Sequence, residues 1–193
     1  MLYIILLLAY GIGSLCSAVI VAKVCHLPDP RTQGSRNPGT TNILRIAGKK
    51  YAFIVLLADS LKGVIPVLLA KGLHIAPECW GYIGCIAVLG HIYPIFFHFK
   101  GGKGVATALG VLLGLNLWLG LIVIVTWLLV AWLSRYSSLA AILAIGLSPL
   151  YVWCFSSNPY GVFPVLCIAL VVLWQHQDNM RRLWQGQESK IKL

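Results

Sequence analysis

Residues 105–133, with the sequence VATALGVLLGLNLWLGLIVIVTWLLVAWL, contain no charged side chain over twenty-nine positions. A helix that crosses a bilayer needs about 20 mostly apolar residues, so the stretch is too long for one crossing and short for two full ones. Lys103 precedes it and Arg135 follows it. Because basic loops stay on the cytoplasmic side of a membrane, we expect the chain to go out and return, turning near residues 114–116. The outward helix is then short. A short helix can still complete the crossing if it begins below the membrane surface, beside a polar pocket.

The composition of the whole chain also indicates a membrane protein. Hydrophobic residues make up 59% of the 193 positions and charged residues only 10%, whereas a soluble domain has about 25% charged residues. The net charge is +10, but membrane spans separate the basic regions, which argues against a nucleic-acid partner. We therefore predict one membrane-embedded domain over residues 1–193.

Five further apolar stretches flank the central one. They cover residues 2–22, 51–70, 80–97, 138–155 and 160–175, and residues 156–159 form a turn on the outer side. Together they predict an all-α integral membrane protein with seven transmembrane helices, an N-terminus outside and a C-terminus in the cytoplasm. The polar segments 34–45, 98–104, 135–138 and 176 onward then share the cytoplasmic face, where they are expected to form one site.

The first polar segment, GSRNPGTTNILR at residues 34–45, has the composition of a phosphate-binding loop. Glycines allow the backbone to approach a ligand, hydroxyls and amides can surround anionic oxygens, and Arg45 adds a permanent charge. A short helix capped by Thr40 or Thr41 and ended by Gly48 would add free N–H groups. A solvated interfacial turn with ordinary helix caps is the alternative. The candidate residues are Ser35, Asn37, Thr41, Asn42 and Arg45.

The second polar segment, FKGGKG at residues 99–104, places Lys100 and Lys103 around Gly101 and Gly102. Glycine N–H groups and lysine ammonium groups can bind an oxyanion, although the spacing is not that of a P-loop. A purely topological anchor would need the lysines but not the glycines. The segment is therefore a second candidate for binding phosphate.

Other ionisable residues are less easily assigned. His91, inside the third span, is either functional or a neutral histidine bonded to a neighbouring helix. Asp59 and Lys62 share a helix face at i, i+3 and are expected to form a structural pair. His176 and Asn179 begin the C-terminal segment. Neither the carboxylates nor the six cysteines form a metal-binding pattern, so no metal and no cofactor are predicted.

Four of these segments, in this order, resemble the bacterial acyl-phosphate:glycerol-3-phosphate acyltransferases. They are GSRNPGTTNILR at 34–45, GHIYPIFFHFKGGKGVAT at 90–107, RYSSL at 135–139 and HxxNxxRLxxGxE at 176–188. The resemblance covers nearly the whole chain. It implies a seven-helix bundle in the bacterial cytoplasmic membrane with its site on the cytoplasmic face.

The resemblance also implies the reaction and the site. A fatty acyl group passes from acyl phosphate to the sn-1 hydroxyl of glycerol 3-phosphate, giving lysophosphatidic acid and phosphate. Ser35, Arg45, Lys103 and Asn179 match the family's site residues, and Ser138, or alternatively Ser137, matches a serine that also takes part. The family usually has glycine at the position of Arg36.

The residues themselves leave the proton acceptor open between His91, His176 and a substrate phosphate oxygen. No covalent acyl-enzyme is expected, because Ser35 has no evident His–Asp partner. A transporter of a small phosphorylated compound is the rival function, although no internal repeat supports it. The expected partners are the two substrates and membrane lipid, with the protein a monomer or a weak homodimer.

Overall fold

A computed structural model describes residues 1–156 and 159–191, and within them the chain is helical with no β-strand. The predicted outer turn at residues 156–159 falls partly outside the described residues, at Ser157 and Asn158. The α-helices are α1 (Leu2–Gly13), α2 (Ser17–Val24), α3 (Thr40–Ala47), α4 (Lys49–Gly72), α5 (Pro77–Ile92), α6 (Val105–Leu115), α7 (Leu117–Ser134), α8 (Ser137–Gly146), α9 (Ser148–Phe155), α10 (Val162–Gln175) and α11 (Gln177–Trp184). Short 3₁₀ turns lie at Ile95–Phe97 and Pro159–Gly161.

Several of these helices have the length and apolar character of membrane spans. Four helical stretches qualify in the described part of the chain, and a fifth does if the bent pair α1 and α2 is one span. The four are Lys49–Gly72, Pro77–Phe97, Leu117–Ser134 and Ser137–Phe155. The helices α6 and α10 are apolar but shorter. Large apolar side chains such as Tyr3, Trp132 and Trp153 remain exposed on the outside, as lipid contact requires. The all-α membrane fold is thus confirmed.

The first predicted span is broken. The single helix expected over residues 2–22 is wrong in shape, because α1 ends at Gly13 and α2 starts at Ser17 with a bend of 47°. The break leaves the Leu15 carbonyl outside the helical ladder, and the Lys62 ammonium donates to it at 2.6 Å. A neighbouring helix thereby satisfies the freed backbone group inside the membrane.

Glycines let the central helices approach closely. A Cβ added at Gly63 would lie 2.1 Å from the Thr107 carbonyl oxygen, and one at Gly110 would lie 1.9 Å from the Ser60 carbonyl oxygen. Small residues at a helix crossing allow such backbone contact in membranes. The α4–α6 crossing brings polar side chains of α4 next to α5 and α6, close to the polar segment at residues 98–104.

Candidate functional site

The helix predicted inside the first polar loop is present as α3. It ends at Gly48, which has φ +87°. The predicted threonine cap is wrong, because Gly39 is the N-cap residue and no side chain caps the helix. The Thr40 hydroxyl oxygen is buried with no hydrogen-bond partner among the described residues. A donor therefore stands unused at a helix N-terminus, where the backbone favours anions.

Asn42 holds the loop that precedes α3. Its side chain is 1% exposed. Its Oδ1 accepts the Ser35 N–H at 2.9 Å, and its Nδ2 donates to the carbonyl oxygens of Pro30 at 2.9 Å and Gln33 at 3.0 Å. The amide is thus fully used within the loop, so Asn42 shapes the loop rather than contacting a substrate. Ser35 itself is exposed.

The glycine turn is held from behind by the end of α5. The Gly101 N–H donates to the Ile92 carbonyl at 3.2 Å, and the Gly102 N–H donates to the His91 carbonyl at 3.3 Å. These two N–H groups are therefore not free for a phosphate, contrary to the prediction. The turn instead aims the next residue, Lys103, into the site.

The centre of the site is a cluster of side chains from three of the predicted segments. The Lys103 ammonium donates to Asn179 Oδ1. Asn179 Nδ2 donates to Glu188 Oε1 at 2.7 Å, and the Ser138 hydroxyl donates to the same oxygen at 2.8 Å. Arg182 Nε donates to Glu188 Oε2 at 2.7 Å. We call Lys103, Ser138, Asn179, Arg182 and Glu188 the polar cluster.

The first loop and the C-terminal tail meet at the rim of this cluster. The hydroxyls of Thr41 and Ser137 are 3.0 Å apart. Arg45, an exposed residue, donates from Nη2 to the Ser189 carbonyl at 3.4 Å. Both serines of the RYSSL segment thus face the site, Ser138 in the polar cluster and Ser137 at its rim.

Burial and charge shift the ionisation of the cluster. Burial, together with repulsion from the Arg182 cation, lowers the pKa of Lys103 to about 8. Burial works to raise the pKa of Glu188, but the hydrogen bonds from Arg182, Ser138 and Asn179 outweigh it and hold that pKa below the usual value. At neutral pH the cluster therefore holds two cations and one carboxylate.

The two candidate histidines occupy different places. His91 is buried, and its Nε2 lies 2.3 Å from where a Cβ on Gly102 would be, so this ring is behind the glycine turn. Burial lowers the pKa of His176 to about 4, which leaves the ring neutral at pH 7. His176 Nδ1 is 2.8 Å from the Val172 carbonyl. A carbonyl can only accept, so Nδ1 carries the proton and Nε2 is free to accept one.

Among the remaining candidates, Lys100 is exposed and Asn37 is half-buried, both outside the polar cluster. Sequence reasoning missed Glu188 and Arg182 as members of that cluster. The signal for Glu188 was available, since this residue ends the HxxNxxRLxxGxE pattern at 176–188.

Comparisons with known proteins identify the family and the fold. The family model described as glycerol-3-phosphate acyltransferase matches residues 3–186. A glycerol-3-phosphate acyltransferase of Coxiella burnetii (strain RSA 493 / Nine Mile phase I) is 50% identical over 188 residues, which cover 97% of each chain. One of Haemophilus ducreyi is 48% identical over 189 residues, covering 98% of this chain and 94% of the relative.

Two solved structures have the same fold. The glycerol 3-phosphate form of PlsY (YgiH), an integral membrane glycerol 3-phosphate acyltransferase, superposes with a TM-score of 0.94 at 37% identity, covering 99% of this chain and 96% of that one. Its lysophosphatidic acid form superposes with a TM-score of 0.92 at 36% identity, covering 99% and 95%.

Proposed function

The chain belongs to the glycerol-3-phosphate acyltransferase family, and we propose that it transfers a fatty acyl group from an acyl phosphate to the sn-1 hydroxyl of glycerol 3-phosphate. The products are lysophosphatidic acid and phosphate, in the first step of phospholipid synthesis. The observation that carries this proposal is the polar cluster, in which Lys103 and Arg182 face the same side of the helical bundle as Arg45. Family membership argues against the rival transport function.

We propose seven membrane crossings for residues 1–193, formed by the bent pair α1 and α2, the four long stretches, α6 and α10. The N-terminus then lies outside and the C-terminus in the cytoplasm of a bacterial cell, with the site on the cytoplasmic face of the inner membrane. Support comes from the basic residues around the polar cluster and from the short helix α6, which ends at Leu115, within the turn predicted near residues 114–116.

On this proposal Arg45 and Lys103 hold the substrate phosphates, and Asn179 and Ser138 orient Lys103 and Glu188. Thr40 and Thr41 add hydroxyl donors at the N-terminus of α3. These assignments are supported by cationic groups, an unused buried hydroxyl and a helix N-terminus that lie in neighbouring segments. Preformed donors of this kind stabilise charge that develops on a phosphate leaving group.

The reaction requires little acid catalysis. The glycerol hydroxyl oxygen forms a bond to the acyl carbonyl carbon, the bond from that carbon to the phosphate oxygen breaks, and the hydroxyl proton passes to a phosphate oxygen. Positioning of the two substrates then accounts for most of the rate. His176 Nε2 is the alternative proton acceptor. His91 is excluded as the proton acceptor, because its ring lies behind Gly102. The Ser35 backbone N–H donates to the Asn42 amide, and among the described residues no hydrogen bond joins the Ser35 hydroxyl to a histidine, which supports a direct transfer.

The proposal is tested with purified protein, palmitoyl phosphate and glycerol 3-phosphate, by following phosphate release and lysophosphatidic acid. Lys103→Ala and Arg45→Ala are each expected to lose activity by about 100-fold or more. Lys49→Ala, a change at an exposed lysine at the start of α4, serves as the matched control and should stay active. A folded wild type that makes no product with any acyl chain length would refute the proposed reaction.

A further inference from the structure

A buried ion pair lies inside the bundle behind the site. The Lys62 ammonium is 2.8 Å from Asp59 Oδ1, and the two residues are 4% and 2% exposed. The same ammonium donates to the Leu15 carbonyl at the break between α1 and α2. Charged residues inside a membrane protein are costly and are functional by default. The proposed mechanism gives this pair no role.

The Asp59 carboxylate also faces the imidazole of His91. Asp59 Oδ1 lies 3.8 Å from His91 Nδ1, and the Thr107 hydroxyl oxygen lies 3.1 Å from the same nitrogen. The close α4–α6 crossing at Gly63 makes this approach possible. The His91 ring is therefore hydrogen-bonded to a hydroxyl on α6, and a carboxylate on α4 lies beside the same ring nitrogen without a hydrogen bond to it.

The other side of His91 supports the site. Its carbonyl accepts the Gly102 N–H, and its ring fills the space next to Gly102, so that an added Cβ there would lie 2.3 Å from Nε2 and 3.3 Å from the Pro38 carbonyl oxygen. The glycine turn thus rests against the His91 imidazole, and the first polar loop approaches the same glycine through the Pro38 carbonyl. A rotation of this ring would move the turn that carries Lys103.

We propose that Asp59 is a positioning residue for substrate phosphate, acting through His91 on the glycine turn at residues 101–104. Lys62, paired with Asp59 at 2.8 Å, fixes that side chain in place. Glycerol 3-phosphate is the substrate most dependent on the turn, because it is bound by polar contacts alone, whereas an acyl phosphate also has its chain buried in apolar surroundings. The inference rests on the proposed phosphate site.

The informative variant is the double substitution Asp59→Leu with Lys62→Met. A single substitution leaves an unpaired buried charge and is strongly destabilising, whereas replacing both members of a buried pair with apolar residues is often neutral for stability. If the two charges served only to neutralise each other, their loss would not affect substrate binding in the double variant, and the lost donor to the Leu15 carbonyl is matched by the control variant. If instead the pair positions His91, its loss would weaken substrate binding in the double variant.

Lys71→Met is the matched control. Lys71 lies on the same helix, and its ammonium donates to a helix-end carbonyl, that of Leu115, at 2.8 Å. Its ammonium also stacks over the Trp80 ring at 4.7 Å. The contact resembles that of Lys62 with Leu15, but it lies at the end of α4 away from the glycine turn. Its loss should lower thermal stability without changing substrate affinity.

The measurements are the KM for each substrate, kcat, the melting temperature in detergent, and glycerol 3-phosphate binding by calorimetry. In the double variant the KM for glycerol 3-phosphate should rise by about tenfold or more, or about 1.4 kcal/mol, while kcat stays within about threefold and the KM for acyl phosphate is unchanged. An unchanged KM for glycerol 3-phosphate would overturn the inference, as would an equal rise in the Lys71→Met control.

Thr107→Val keeps the test valid should the double variant fail to fold. It removes the hydroxyl beside His91 Nδ1 without adding or removing a charge, and should raise the same KM by about threefold. A KM equal to that of the wild type would also overturn the inference. Failure of the proposed function is distinguishable, because the wild type itself would then neither bind glycerol 3-phosphate nor turn it over.

Discussion

Replacing Glu188 with Gln removes one charge from the polar cluster and keeps the shape of the side chain. The carboxylate accepts hydrogen bonds from Ser138 and Asn179 on one oxygen and from Arg182 on the other. A glutamine amide has only one acceptor atom, so a donor must face a donor whichever way it turns. The substitution also withdraws the negative charge that helps to keep Lys103 protonated.

The size of the effect follows from the geometry. Two hydrogen bonds and the Asn179 amide separate the Glu188 carboxylate from the Lys103 ammonium, which puts the charges about 7 Å apart. At an effective dielectric constant of about 20 their attraction is about 2 kcal/mol, and solvent near the tail reduces it to about 1.4 kcal/mol. The pKa of Lys103, about 8 in the wild type, should therefore fall to about 7 in the variant.

Activity that needs the charged ammonium is present below this pKa and is lost as the pH rises through it. At about pH 6 both proteins hold a largely charged Lys103, whereas at about pH 8 the variant retains about a fifth of the charged fraction of the wild type. The ratio of variant to wild-type kcat/KM for glycerol 3-phosphate should accordingly fall about fivefold between these pH values.

The assay is the pH profile of kcat/KM, measured under subsaturating glycerol 3-phosphate. Gln187→Ala, a change at the exposed neighbour of Glu188, provides the control and should leave the profile unchanged. A ratio that stays constant with pH would show that Glu188 acts without influencing Lys103. A kcat/KM that rises with pH in both proteins, with the variant more active than the wild type at each pH, would show that the neutral amine of Lys103 is the active form, which would reverse the proposed role.

Three glycine-related changes test the backbone. Gly34→Ala should reduce activity and destabilise the loop by about 1–2 kcal/mol, since Gly34 has φ +61° and the new Cβ would lie 2.2 Å from Asn42 Oδ1; kinetics and melting temperature would both report it. Arg36→Gly should leave activity intact and the melting temperature nearly unchanged, because relief of the strain at φ +58° is offset by about 0.4–1 kcal/mol of added freedom in the unfolded chain. Gly110→Ala should lower the melting temperature in detergent, by a loss of about 1–3 kcal/mol, because its Cβ would meet the Ser60 carbonyl.

Local features of the chain were predictable from the sequence. The spacing of Asp59 and Lys62 on one helix face predicted their ion pair, which the structure confirms at 2.8 Å. The helix ended by Gly48 was predicted because glycine readily adopts the positive φ that terminates a helix, and α3 ends there. The resemblance led us to expect glycine at the position of Arg36, and the φ of +58° found there is one that glycine adopts readily.

Contacts between distant segments were not predictable in the same way. Nothing in the glycine turn indicates that the N–H groups of Gly101 and Gly102 point back to α5, because the carbonyls that accept them become available only where that helix ends. Glu188 contacts Ser138, fifty positions earlier, through a tail whose sequence shows only a polar, basic character. The break at Leu15 depends on Lys62 from another helix. In each case the deciding partner is far away in sequence.

The balance of charge in the site gives the partial burial of Lys103 a physical reason. Arg45, Lys103 and Arg182 supply three positive charges, which exceed the negative charges of Glu188 and Asp178 that also act on Lys103, and desolvation lowers the pKa of Lys103 to about 8. A bound phosphate group carries about −1.5 to −2 charges near neutral pH, which would balance this excess and favour the protonated ammonium. The unfavourable burial of that ammonium before substrate binds is thus offset by the bound phosphate. The same cations remain in place as charge builds up on the departing phosphate, where a preorganised, partly desolvated site stabilises the transition state most strongly.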